Sequence, residues 1–143
     1  MSRRVLGLDV GERRIGIALS DPLGMTAQGL TVLKRRGLAS DVDAVGGLVA
    51  QYNVERIVLG LPLTLGGERG RQAQKVETFA QALQHRIAVP VQLIDERLTT
   101  AQSERVLLEA DVSRRKRKRV IDQLAAQLIL QQYLDGQRDH DTS

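Results

Sequence analysis

The stretch Val5-Leu6-Gly7-Leu8-Asp9-Val10-Gly11-Glu12-Arg13-Arg14-Ile15-Gly16-Ile17-Ala18-Leu19-Ser20-Asp21 reads as two β-strands joined by a short polar turn, with a carboxylate where the first strand ends. Side chains alternate between the faces of a strand, so Val5, Gly7 and Asp9 share one face and Leu6, Leu8 and Val10 the other. The acid therefore shares its face with a glycine rather than with bulky core residues, and such a bare face lets a ligand backbone approach. The return strand repeats the pattern, with Ile15, Ile17 and Leu19 on one side and Gly16 and Ala18 on the other. Aspartate is also a common turn former, so the hairpin alone leaves that reading of Asp9 open.

Working outward, Ala27 to Leu33 reads as a third strand of a meander, and the basic trio Lys34-Arg35-Arg36 follows it. Ser40 is placed to cap a helix whose Val42, Val45, Val49 and Tyr52 fall on one face. Gly46 and Gly47 weaken that helix, each by about 1 kcal/mol relative to alanine. Arg56-Ile57-Val58-Leu59-Gly60 is an apolar run of the kind found in parallel strands buried on both faces. The glycine-rich segment from Gly60 to Gly70 then carries Arg69 and leads to Arg71, but it lacks the residue order of a P-loop. Val76, Phe79, Ala80, Leu83 and Ile87 follow a helical period that Pro90 ends. Val91 to Ile94 forms a fifth strand, which runs into Asp95-Glu96-Arg97-Leu98-Thr99-Thr100. Thr99 or Thr100 can cap a further helix with Ser103, Val106, Leu107 and Ala110 on its buried side. The order predicts an α/β fold, a five-stranded mixed sheet in which an antiparallel meander precedes parallel strands, flanked by helices.

A last helix is predicted from about Arg119 to Leu134, with Asp122 on the face of Ala125, Ala126, Ile129 and Tyr133. Proximity to a helix N-terminus would stabilise that acid by about 0.3 to 1 kcal/mol, but it does not explain the inward face. The segment from about Ala110 to Lys118 reads as a loop, and Gly136 to Ser143 as a frayed polar tail.

Composition narrows the chemistry. The 143 residues suit a single domain, predicted over 1–136 with a C-terminal tail at 137–143. Phe79, Tyr52 and Tyr133 are the only aromatic residues, which argues against a nucleic-acid surface built on stacked bases. There is no cysteine, which excludes disulfides, zinc-thiolate sites and thiol nucleophiles. His85 and His140 lie far apart in sequence, so no paired-imidazole metal motif exists. With no apolar run of membrane length and no signal-peptide core, a cytoplasmic location without membrane partners is expected. The net charge of +4 is concentrated in Arg114-Arg115-Lys116-Arg117-Lys118-Arg119. Six adjacent cations repel one another and gain most from a bound polyanion, although such runs also occur as solvated loops.

Ligand sites in such sheets gather at strand C-termini. Asp9, the pair Asp95 and Glu96, and Asp122 would then converge. Clustered carboxylates repel, and a hard divalent cation, Mg²⁺ or Mn²⁺, relieves that repulsion. Two such ions support phosphodiester hydrolysis without a side-chain base. Arg13, Arg14, Arg69, Arg71, Arg97 and the basic run would hold the nucleic acid.

GLDVGERRIGIALSD, VLGLPL with its glycine-rich continuation, IDERLTT and VIDQLAAQLILQQYL, in this order, resemble the YqgF/RuvX family of the RNase H-like superfamily, which also contains the RuvC Holliday-junction resolvases. The resemblance spans nearly the whole chain. It implies an RNase H-like fold and a metal-dependent nuclease acting in maturation of the pre-16S rRNA 5′ end, with Holliday-junction resolution as the alternative. The implied partners are pre-rRNA or branched DNA and ribosome-assembly or RNA-processing factors, for a monomer or homodimer. It places the catalytic acids at Asp9, Asp122 and, within the pair, Glu96; alternation along the strand leaves Asp95 open as a ligand. Relatives often have methionine and aspartate where this chain has Leu65 and Gly66. An aspartate, glycine and hairpin also occur in the phosphate loop of actin, Hsp70 and sugar kinases, but those proteins bind nucleotide between two related domains. A non-catalytic nucleic-acid binder is the other rival.

Overall fold

A computed structural model describes residues 4–63, 66–96 and 114–141. Five strands form one sheet: β1 Val5–Val10, β2 Arg14–Ser20, β3 Ala27–Lys34, β4 Arg56–Leu61 and β5 Val91–Asp95. Their spatial order is β3-β2-β1-β4-β5. β1 to β3 are antiparallel neighbours, whereas β4 and β5 run parallel to β1, as the order of patterns predicts. The described helices are α1 Leu38–Tyr52, α2 Arg71–Arg86 and α3 Arg114–Asp141.

Alternation along the strands divides the core between two sheet faces. Leu6, Leu8, Val10, Ile15 and Ile17 pack with Val42, Val45, Val76, Phe79 and Leu83 of α1 and α2. Val5, Ala18, Ala27 and Val58 pack on the opposite face with Ala126, Leu130 and Leu134 of α3. Phe79, the sole phenylalanine, is fully buried and supplies the aromatic bulk of the larger cluster.

The bare face serves a different purpose from the one the sequence suggested. A Cβ built on Gly16 would stand 2.0 Å from the Asp122 carbonyl oxygen, and one on Gly7 would stand 2.7 Å from the Leu130 Cβ. Backbone closeness is thus used by α3, which lies in a trough of small residues, rather than by a ligand.

Two helix boundaries also differ from expectation. α1 starts at Leu38, with Gly37 rather than Ser40 at its N-cap. Gly37 takes φ 141°, a conformation L residues rarely adopt, and the buried Asp41 carboxylate one turn later accepts the Arg36 N–H at 3.0 Å. α3 extends beyond the predicted ends, back through Arg114 and on through Asp141. Arginine and lysine are good helix formers, and the packed Ala126–Leu134 segment anchors the backbone on either side. The helix predicted after Thr99 lies outside the described residues. Among the described residues, no helix is long and apolar enough to cross a membrane.

Candidate active site

The site is built at the end of β1. Gly11 donates its N–H to the Arg14 carbonyl at 2.9 Å, which closes the turn and starts β2 immediately. Asp9 lies in register with Gly16, and Gly16 is where the backbone of Asp122 crosses the sheet. Two carboxylates far apart in sequence are thereby brought to one face and one end of the sheet.

Arg14 shares that face and donates from Nε to Asp122 Oδ2 at 2.8 Å. The side chains are only 31% and 22% exposed, so the pair is partly shielded from water. Beside it opens a cavity of about 240 Å³ lined by Gly11, Glu12, Arg13, Arg14 and Asp122. Arg14 is thus first a counter-ion to an inward acid, a role that periodicity could not reveal.

Glu96 follows the last residue of β5 and is 2% exposed. A Cβ on Gly60 would meet Ile129 of α3 at 2.5 Å and the Glu96 carboxyl carbon at 3.7 Å, so this carboxylate lies over β4 on the α3 face. Asp95 is in register with Leu61, which packs against the α1/α2 cluster. The alternation left open in the sequence therefore separates the pair: Glu96 takes the face of Asp9 and Asp122, and Asp95 takes the other.

Carboxylate oxygens are the ligands a hard divalent ion takes, so Asp9, Glu96 and Asp122 fit such an ion in donor type and in face. β4 separates β1 from β5, two strand spacings of about 4.8 Å each, while Asp122 is reached across β2 and is engaged by Arg14. Accordingly, among the described residues, no group of three His, Cys, Asp or Glu side chains stands close enough to hold a metal.

The predicted phosphate-binding residues divide. Arg13 lines the cavity beside Asp122. Arg69 is paired with Glu77 at 2.8 Å, and Arg71 opens the first turn of α2. Arg97 and the side chains of Arg114 to Arg119 lie outside the described residues. Arg35 of the basic trio has a structural role that the sequence pattern does not reveal. Arg35 donates to Asp41 at 3.1 Å and to the Gly11 carbonyl at 3.1 Å, and lies 5.4 Å over the Phe79 ring, so it braces the site turn from beneath. An arginine followed six residues later by an aspartate in a first helical turn was the available signal.

The strand order, with helices on both faces of the mixed sheet, defines an α/β protein of RNase H-like fold. The chain belongs to the RuvX family: the family model described as "RuvX: Holliday junction resolvase" matches residues 3–136. A Moorella thermoacetica protein named "Putative pre-16S rRNA nuclease" is 58% identical over 132 residues, covering 92% of this chain and 94% of that one. One of the same name from Syntrophomonas wolfei is 53% identical over 133 residues, covering 93% and 94%. Among solved structures, T. thermophilus RuvC in complex with a Holliday junction substrate aligns with TM-score 0.59 at 15% identity, over 95% of this chain and 96% of that one. Fowlpox virus resolvase with Holliday junction DNA aligns with TM-score 0.52 at 14% identity, over 93% and 97%. These structural likenesses establish the shared fold.

Proposed function

We propose that this protein is a divalent-metal-dependent nuclease that hydrolyses phosphodiester bonds in processing the 5′ end of pre-16S rRNA. The observation that carries the reading is that Gly16 pairs with Asp9 in the strand register and carries the Asp122 backbone, beside an arginine-lined cavity at the end of β1. The names of relatives at 58% and 53% identity point to the same substrate. Asp9, Glu96 and Asp122 would hold Mg²⁺ or Mn²⁺, two ions in the full site, whose chemistry is to lower the pKa of water and neutralise the leaving oxygen. Arg13 and Arg14 receive the phosphate backbone. Gly16 fixes the height of Asp122 over the sheet.

The description of the family model favours a second reading, resolution of Holliday junctions. That reaction needs two sites related by symmetry, hence a dimer facing one junction. The test offers a labelled precursor rRNA fragment and a matched four-way DNA junction with Mn²⁺, Mg²⁺ or EDTA. Cleavage of the rRNA fragment that EDTA stops and Asp9→Asn lowers by at least about 100-fold is expected. Preference for the junction would select the second reading, and binding of both without cleavage would leave a non-catalytic binder.

A further inference from the structure

A second cavity, of about 460 Å³, opens on the other side of the β1–β2 turn and shares Glu12 with the first. Its lining includes Arg35 from the link after β3, Leu38 from the start of α1, and Arg71, Lys75 and Thr78 from α2. On α2, Arg71, Lys75 and Thr78 are spaced four and three residues apart, so they line one helical face. α1 and α2 both begin at the site end of the sheet, which places this cavity beside the candidate active site but against the opposite sheet face.

Its parts differ in how firmly they are held. Arg35 is fixed by Asp41, the Gly11 carbonyl and the Phe79 ring, so it forms a rigid wall with its charge already compensated. Leu38, 41% exposed, adds an apolar patch. Arg71 is exposed and joins none of the ion pairs among the described residues. Lys75 meets Glu12 at 3.2 Å, with side chains 45% and 69% exposed, the kind of surface pair that water and a competing anion readily exchange. The first turn of α2 carries no acidic residue and no side-chain cap. A rigid wall, an apolar patch and two available cations suit one nucleotide, its phosphate on the cations, and the volume lies within the usual range of about 300–1,000 Å³ for ligand pockets.

We propose that this cavity binds a nucleotide flanking the cleaved bond, so that a single strand of nucleic acid crosses the β1–β2 turn from the Arg13 and Arg14 cavity into the one lined by Arg71 and Lys75. Phosphate displaces Glu12 from Lys75, and the sugar and base lie against Leu38 and the Arg35 guanidinium, a plane on which bases stack. The ligand's identity rests on the nuclease reading; the site itself rests on its own residues.

The test measures binding of a single-stranded RNA oligonucleotide by fluorescence anisotropy, in EDTA and over a series of salt concentrations. Wild type is compared with Arg71→Gln/Lys75→Gln and with a charge-matched control, Arg56→Gln/Arg86→Gln, whose residues begin β4 and end α2 at the far end of the sheet. Losing two phosphate contacts on a single strand flattens the slope of log K against log salt by about 1.4. That result for the cavity variant, with the control near wild type, is expected; under cleavage conditions KM rises with kcat kept within about twofold. An unchanged slope, or an equal change in the control, overturns the proposal. If the slope falls as expected but wild type cleaves no nucleic acid, the cavity stands and the nuclease reading fails. Cleavage with an unchanged slope gives the reverse.

Discussion

The two ends of the β1–β2 hairpin each hold an aspartate, and they hold it by different means. At the far end, Asp21 Oδ1 accepts N–H groups from Met25 at 2.6 Å and Thr26 at 2.9 Å, all within one short turn. Ser20 closes the same end by accepting the Val5 N–H at 2.8 Å. At the site end, Asp122 is held by the Arg14 guanidinium, 108 residues away in the chain. Backbone amides are fixed donors with nothing else to bind, whereas a guanidinium is a mobile cation that phosphate can claim. The first arrangement shapes a turn; the second stores a carboxylate and a cation where chemistry can use both.

The largest effect that could break this contrast comes from Gly16. Its added Cβ in Gly16→Ala would sit 2.0 Å from a helix carbonyl that cannot swing away, so α3 must lift and carry Asp122 with it. A loss of about 3 kcal/mol or more in urea unfolding is expected, together with loss of cleavage. The same change at Gly24, a turn glycine at φ 72° near the far end, should cost about 1–2 kcal/mol and leave cleavage alone. Equal stability costs at both glycines, with cleavage kept, would mean that α3 does not depend on the trough.

Arg14→Gln sharpens the contrast at the site itself. The pair is partly exposed, so its removal should lower stability by no more than about 1 kcal/mol. Cleavage should fall by at least about tenfold as the phosphate contact is lost. A large stability loss with normal turnover would make the pair a structural device like Asp21.

The smallest effect concerns acid. The N–H groups of Thr26 and Met25 hold the Asp21 carboxyl below its ordinary value of 3.8. A depressed carboxylate contributes stability that is present above the ordinary value and lost as pH falls through the lower folded value. Asp21→Asn should therefore be slightly less stable than wild type at about pH 6, with the gap closing below 3.8, as thermal unfolding at both pH values would register. A gap of constant size would remove the carboxylate from the turn's energetics.

Much of this was legible because it is local. Period-two alternation separated Leu6, Leu8 and Val10 from Gly7 and Asp9, and the 3.6 period put Asp122 on the face of Ala126. What could not be read depends on where a distant element lands. The glycines looked like room for a ligand because nothing in their own strands announces that α3 fills it. The pairing of Arg14 with Asp122 could not be read because the two lie on different elements. Strand alternation alone could not rank Asp95 and Glu96, which only the resemblance separated in favour of Glu96; the contact over Gly60 shows Glu96 on the α3 face.

The most direct test of the central claim, that the two aspartates differ in kind, pairs Asp122→Asn with Asp21→Asn in one cleavage assay of the labelled precursor rRNA fragment with Mn²⁺, with thermal unfolding of both proteins alongside. Asp122→Asn should lose metal-dependent cleavage by at least about 100-fold while remaining folded, and Asp21→Asn should cleave at the wild-type rate. Turnover that survives in Asp122→Asn would contradict the account.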